Sequence, residues 1–250
     1  MIRVYCKNNG VTKEFEGGLT LKEIYDGMGL DMPHGVIAAK VNNVTEGLAK
    51  RSYRHKDVEF LDITSNDGMR MYVRSLLFIF MKAMNEMFPG ETVRFENAIS
   101  KGYYCRMDRP LTDNELAAVR ERMLNIVACD IPFERVECHT AEAIEVFARI
   151  GRMDKVCLLE TYDRLYTSYY KLDGYIDSYY NGLVPSTGYI KLFEIENYDD
   201  GVLLRVPKRN SPTELEDKVP QEKLHGLFEE RLQWHQKMQV ETIGDFNKGV

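Results

Sequence analysis

Ile2-Arg-Val-Tyr-Cys-Lys7 alternates apolar and polar side chains, Asn8-Asn9-Gly10 interrupts it, and Val11-Thr-Lys-Glu-Phe-Glu16 alternates again. A strand sends successive side chains to opposite faces, so period-two alternation on both sides of an Asn-Gly turn predicts a β-hairpin. Gly17-Gly18 ends it, and Thr20 is placed to cap a short helix through Lys22, Glu23, Ile24 and Tyr25, closed by Gly27 and Gly29. Two more strands are predicted over residues 35–42 and 57–64. This ββαββ order within sixty-odd residues predicts a β-grasp domain over 1–65.

Asn66-Asp67-Gly68 reads as the boundary, followed by a helix from about Met69 to Met87, before Pro89-Gly90. Thr92-Val-Arg-Phe-Glu96 and Gly102-Tyr-Tyr-Cys-Arg-Met107 read as paired strands. Thr112-Asp-Asn-Glu115 is a capping box ahead of apolar positions at Leu116, Val119, Met123 and Val127. Phe133 to Cys138 reads as a strand, with Thr140 capping a helix that Gly151 closes. Seven tyrosines follow (Tyr162, Tyr166, Tyr169, Tyr170, Tyr175, Tyr179, Tyr180), then strands near 187–197 and 202–207. Ser211-Pro-Thr-Glu214 has the form of a capping box with proline at the first helical position, which predicts a helical tail from there to about Val240. The expected fold class is α+β: the β-grasp domain, a larger domain over 66–209 with helices on an antiparallel sheet, and a tail over 210–250.

The 250 residues are 44% hydrophobic and 29% charged, the balance of a globular chain, with net charge −6. That charge excludes a strongly basic nucleic-acid binder but leaves room for a local basic patch. Through residue 64 lysine plus arginine and aspartate plus glutamate are nine each, so the acidity belongs to the remainder. The longest apolar run, Leu76 to Met81, is six residues, far below the ~20 that span a bilayer, so no membrane partner is expected. Five scattered cysteines without a C-x-x-C pair fit reduced thiols and a cytoplasmic protein. There is no G-x-x-x-x-G-K-[ST], G-x-G-x-x-G, G-x-S-x-G or H-E-x-x-H, and the five histidines stand singly.

Val36-Ile-Ala-Ala-Lys-Val-Asn42 followed by Asp57-Val-Glu-Phe-Leu61 resembles the last two strands of a TGS domain, the β-grasp module that opens threonyl-tRNA synthetases. Phe88-Pro89, Lys101-Gly102-Tyr103-Tyr104, Leu111 to Glu115, Glu142-Ala143, Tyr175-Ile-Asp177 and Val184-Pro185 together resemble, in order and spacing, the editing domain of those enzymes. The resemblance places that family's H-x-x-x-H at Arg74 and Phe78, and its C-x-x-x-H at Tyr179 and Leu183. Phenylalanine and leucine neither coordinate a metal nor carry a proton, and arginine stays protonated at any relevant pH. The resemblance therefore implies an editing pocket stripped of its hydrolytic machinery, with these four positions as ligand-site candidates and no catalytic residue.

A TGS domain ahead of a degenerate editing-like domain is also similar to the N-terminal half of bacterial nucleoside (uridine) kinases. That likeness implies a fragment lacking a P-loop kinase domain, which would be its partner and would alone use ATP and magnesium. Three functions stay open: a non-catalytic accessory region of such a kinase, an RNA- or tRNA-binding module, and an active aminoacyl-tRNA hydrolase, against which the lost motifs argue. The basic stretch Lys50, Arg51, Tyr53, Arg54 and Lys56 fits either an RNA contact, with Tyr53 stacking on a base, or a solvated turn. The tyrosines fit either a pocket for a base or half-buried strand positions, with Tyr179 the leading ligand candidate. No cofactor is expected in the chain, and oligomeric state is left open. Protein purified without added zinc is expected to carry far less than one equivalent by metal analysis; stoichiometric zinc that survives dialysis contradicts this.

Overall fold

The computed structural model describes residues 1–161, 164–179, 181–238 and 247, and the chain divides into two compact units, 1–133 with 181–217 and 134–180 with 218–250. In the first unit the hairpin forms as Ile2–Cys6 against Val11–Phe15, with Ile2 opposite Phe15. Ile2–Cys6 also runs parallel to Lys56–Leu61, giving a five-stranded sheet in the order Val11–Phe15, Ile2–Cys6, Lys56–Leu61, Ala38–Val41, Val44–Gly47. The alternation in Ile2–Cys6 buries Ile2, Val4 and Cys6 against α1 (Leu21–Met28), whose Leu21, Ile24 and Met28 complete one core with Val58 and Phe60. Thr20 and Glu23 form the capping box of α1, and Gly29 ends it at φ 70°, where a side chain would be strained. Parallel neighbours at the sheet centre, linked through a helix, are the β-grasp arrangement. Asn8 serves as an extra rung: its amide donates to Phe60 O at 2.9 Å and its Oδ1 accepts from Phe60 N at 2.7 Å.

α2 (Asn66–Met87) starts three residues earlier than the sequence suggests, because Ser65 caps it and Asn66-Asp67-Gly68 is already its first turn. Gly68 is required there, since a Cβ would lie 1.9 Å from the Asp62 carbonyl oxygen. Thirteen of its 22 residues are buried, far more than one amphipathic stripe supplies. α3 (Asp113–Ala128) buries Val119, Met123 and Ile126 and packs on α2 and on the strand Glu194–Tyr198. That strand belongs to an antiparallel sheet in the order Glu194–Tyr198, Gly201–Arg205, Gly102–Met107, Val93–Ile99. Residues 187–189 form a 3-10 turn where a strand was expected. The Ser211–Glu214 capping box is also corrected: Ser211–Leu215 is a strand paired with Pro207–Lys208. Glu214 is drawn into an ion pair with Lys208 at 3.2 Å, and proline's fixed φ suits extended chain as well as a helix start.

The second unit has the three-stranded antiparallel sheet Glu134–His139, Tyr166–Leu172, Tyr175–Asp177. On it lie α4 (Thr140–Arg149) and α5 (Met153–Glu160), the latter unforeseen in the sequence. Their core joins Ala143, Phe147, Val156, Leu159 and Tyr169, with Phe147 edge-on to Tyr169 at 5.9 Å. Thr140 is not the cap of α4. It is the first helical residue, and its hydroxyl donates to Arg164 O at 2.6 Å, which ties the helix start to the chain entering the middle strand. α6 (Glu222–Lys237) is the helix of the tail. Tyr162, Tyr180 and Val240 lie outside the described residues.

In the first unit Glu115 closes the α3 capping box and also receives Arg109, at 2.7 and 3.0 Å. The Arg109 guanidinium, reinforced by the Thr112 backbone and hydroxyl, holds its carboxyl down at about 2, against an ordinary 4.5. A depressed carboxyl stabilises the fold above its unfolded value, and that contribution is lost as pH falls from 4.5 towards 2. Unfolding midpoints in urea across that range are expected to fall less steeply for Glu115→Gln; identical acid limbs would contradict the assignment.

Candidate functional site

Arg74, Phe78 and Leu183 belong to the first unit and Tyr179 to the second. On α2 the positions that the resemblance gives to the H-x-x-x-H hold structure. Arg74 forks its Nε and Nη2 onto Gly182 O, at 3.2 and 2.9 Å. Its neighbour Ser75 donates to Met71 O at 2.8 Å and accepts from Val184 N at 2.9 Å. Phe78 is 0% exposed and meets Phe133 edge-on at 5.6 Å, while Leu183 is buried. A phenyl ring closed in this way presents no polar group to a ligand.

Tyr179 lies at a different kind of place. It lines a cleft of about 200 Å³ in the second unit with Arg135 on the first strand, Lys155 on α5, Arg164, and Tyr166 and Ser168 on the middle strand. Arg135 is oriented by Glu137 at 3.1 Å and by the Ser168 hydroxyl at 3.2 Å. Lys155 is held 3.3 Å from the buried Asp177, which also receives Arg152 at 3.4 Å and the Ser178 amide at 2.7 Å. A buried carboxylate needs such compensation, and two cations with a backbone donor supply it. Burial, helped by the Asp177 charge, raises the Tyr175 phenol well above its ordinary value, so it stays neutral throughout the physiological range. Tyr166 is 54% exposed, with its ring 4.5 Å from that of His139. Three cations against one lining carboxylate, beside two phenol rings and three hydroxyls, suit a ligand with anionic groups and a flat face.

The basic stretch lies in the first unit. Arg51 donates to Gly18 O at 2.7 Å, and Tyr53, 68% exposed, rests its ring against Gly18. Lys50 stands 3.6 Å from Glu46, Arg54 is exposed, and Lys56 pairs with Val4 in the sheet. Arg51 and Tyr53 are therefore brought together around the Gly17-Gly18 turn, and Lys50 is drawn aside.

Sequence reasoning missed Arg135, Lys155 and Arg164. They are spread over residues 135–164, on a strand, an unforeseen helix and a loop, so no local spacing marks them. The one available signal is Arg135 and Glu137 on one face of a strand. The thiols of Cys105 and Cys138 are pushed up by burial, which keeps both from acting as thiolates. Among the described residues no three His, Cys, Asp or Glu side chains are gathered as a metal site, and no helix is long and apolar enough to cross a membrane.

No protein-family model matches the chain. It is similar to part of the threonyl-tRNA synthetases, in their N-terminal region. The threonine–tRNA ligase of Desulforamulus reducens is 28% identical over 198 residues, covering 78% of this chain and 31% of the relative. That of Lawsonia intracellularis is 30% identical over 142 residues, 56% and 22% respectively, and that of Thermoplasma acidophilum is 25% identical over 215 residues, 82% and 32%. The chain thus spans about a third or less of the length of these curated relatives.

Proposed function

We propose that this chain is a non-catalytic RNA-binding region, related to the editing half of threonyl-tRNA synthetases, that holds a single-stranded RNA end in the cleft of its second unit. The carrying observation is that cleft: Arg135, Lys155 and Arg164 converge beside Tyr166 and Tyr179. Guanidinium groups grip phosphates bidentately, and stacking on an aromatic ring contributes ~1–3 kcal/mol per base. A net charge of −6 weakens unspecific attraction to RNA, so binding depends on this local patch. Tyr53 and Arg54 of the basic stretch serve as a second, weaker contact on the first unit.

Hydrolysis is absent in this reading because Arg74, Phe78, Tyr179 and Leu183 provide neither a general base nor a metal-bound water. The order of the two modules further supports a role as an accessory region in the cytoplasm ahead of a P-loop kinase domain. Such a domain would be the chain's partner and would supply the only need for ATP and magnesium; the chain itself takes no cofactor.

Fluorescence anisotropy with labelled tRNA and with a single-stranded oligoribonucleotide tests the reading. Both are expected to bind at low salt, and Arg135→Ala with Arg164→Ala should weaken binding about tenfold or more and flatten the log–log salt slope by ~1.4, about 0.7 per lost single-strand phosphate contact. Affinity unchanged in the double variant, or no binding at low salt, contradicts the cleft as the site. Deacylation of seryl-tRNA above the buffer rate contradicts its non-catalytic character.

A further inference from the structure

The first unit holds a larger cavity, of about 800 Å³, that the RNA-binding reading does not use. Its lining includes Ile37 just before the strand Ala38–Val41, Ile63 in the turn after Lys56–Leu61, the nearly buried Tyr72 of α2, and Val127 at the end of α3. The Tyr72 hydroxyl is spent, donating to Leu192 O at 2.7 Å and accepting from Leu192 N at 2.9 Å, so this nearly buried residue adds no free polar group to the lining. A concave apolar site of this size with a few polar groups at its edge is the usual form of a small-molecule site.

Two opposite charges stand at the edge without ionic partners among the described residues. Asp130 uses Oδ1 to accept from Gly188 N at 3.0 Å and from the Ser186 hydroxyl, which fixes the carboxylate while Oδ2 has no partner among the described residues. Lys191 likewise has no hydrogen-bond or ion-pair partner among them, and the two do not pair with each other. α3 ends beside Asp130, its last turn carrying no basic residue, so the partial negative charge of its terminal carbonyls is left unbalanced on the same side. One edge of the cavity therefore favours a cation and Lys191 supplies an anion contact.

We propose that this cavity binds a zwitterion with an apolar body: an amino acid with a large apolar side chain, or a short peptide of the same kind. Its ammonium group sits at Asp130 and the end of α3, its carboxylate at Lys191, and its apolar part on Ile37, Ile63, Tyr72 and Val127.

Isothermal titration of the whole chain with L-phenylalanine and the dipeptide phenylalanyl-leucine, against phenethylamine and 3-phenylpropionate, decides this. At least one zwitterion is expected to saturate a single site, and which of the two binds more tightly identifies the source. Each singly charged analogue should bind about tenfold or more weakly, the loss that follows from removing one charged hydrogen bond. Asp130→Asn, which keeps the acceptor for Gly188 N, should erase the preference over 3-phenylpropionate, and Lys191→Met the preference over phenethylamine. No saturable binding of either zwitterion up to about 10 mM overturns the proposal. So do equal affinities for charged and zwitterionic probes, or a ranking that neither substitution alters. Should a variant unfold, the ranking on the unaltered chain decides alone.

Discussion

The hydroxyl of Ser75 is the point on which the first unit turns. It is buried, it donates back to Met71 O within α2, and it accepts the amide of Val184 from a segment 109 residues away in the chain. One residue earlier Arg74 closes on Gly182 O, and two residues before that Tyr72 takes both the N–H and the C=O of Leu192. Three side chains within four positions of one helix thereby satisfy backbone groups along residues 182–192, which have little regular structure of their own. Buried backbone groups that lose such partners cost about 1–3 kcal/mol each, so this face of α2 fixes how the chain enters the strand Glu194–Tyr198. Burial pushes the Tyr72 phenol up to about 12, which keeps it a donor at every physiological pH.

The same face explains what became of the chemistry implied by the family resemblance. A pair of histidines on α2 needs an open, polar setting. Arg74 and Phe78 instead occupy a closed one, the first spent on a carbonyl and the second packed against Phe133. In the second unit Arg135, Lys155 and Arg164 collect beside Tyr166 and Tyr179. Glu137 and Ser168 order Arg135 there, and Asp177 orders Lys155.

Elements governed by local rules were legible in the sequence. The hairpin follows from alternation around Asn8-Asn9-Gly10, Thr20 caps α1 as expected, and the capping box of Thr112 with Glu115 forms as written. Ser211-Pro-Thr-Glu214 obeys the same local rule yet forms a strand, because Lys208 across the ladder claims Glu214. Thr140 is instead the first helical residue, with His139 at the cap position, and its hydroxyl donates to Arg164 O, which only the fold brings close. The candidate cleft was illegible for a related reason. Tyr179 was visible as one of a cluster, but its cationic neighbours are joined by sheet pairing and by α5, whose short run of mixed residues carries little periodic signal. Strand order and helix placement, not spacing along the chain, decide which charges meet.

Native-state hydrogen exchange at the Val184 amide tests the tie between α2 and its return segment most directly. If Ser75 anchors that segment, Val184 N–H exchanges only through the opening that also releases the interior amides of α2, and Ser75→Ala speeds it towards the rate of an unprotected loop. Exchange at loop rates in the unaltered protein, while α2 stays protected, would contradict the account.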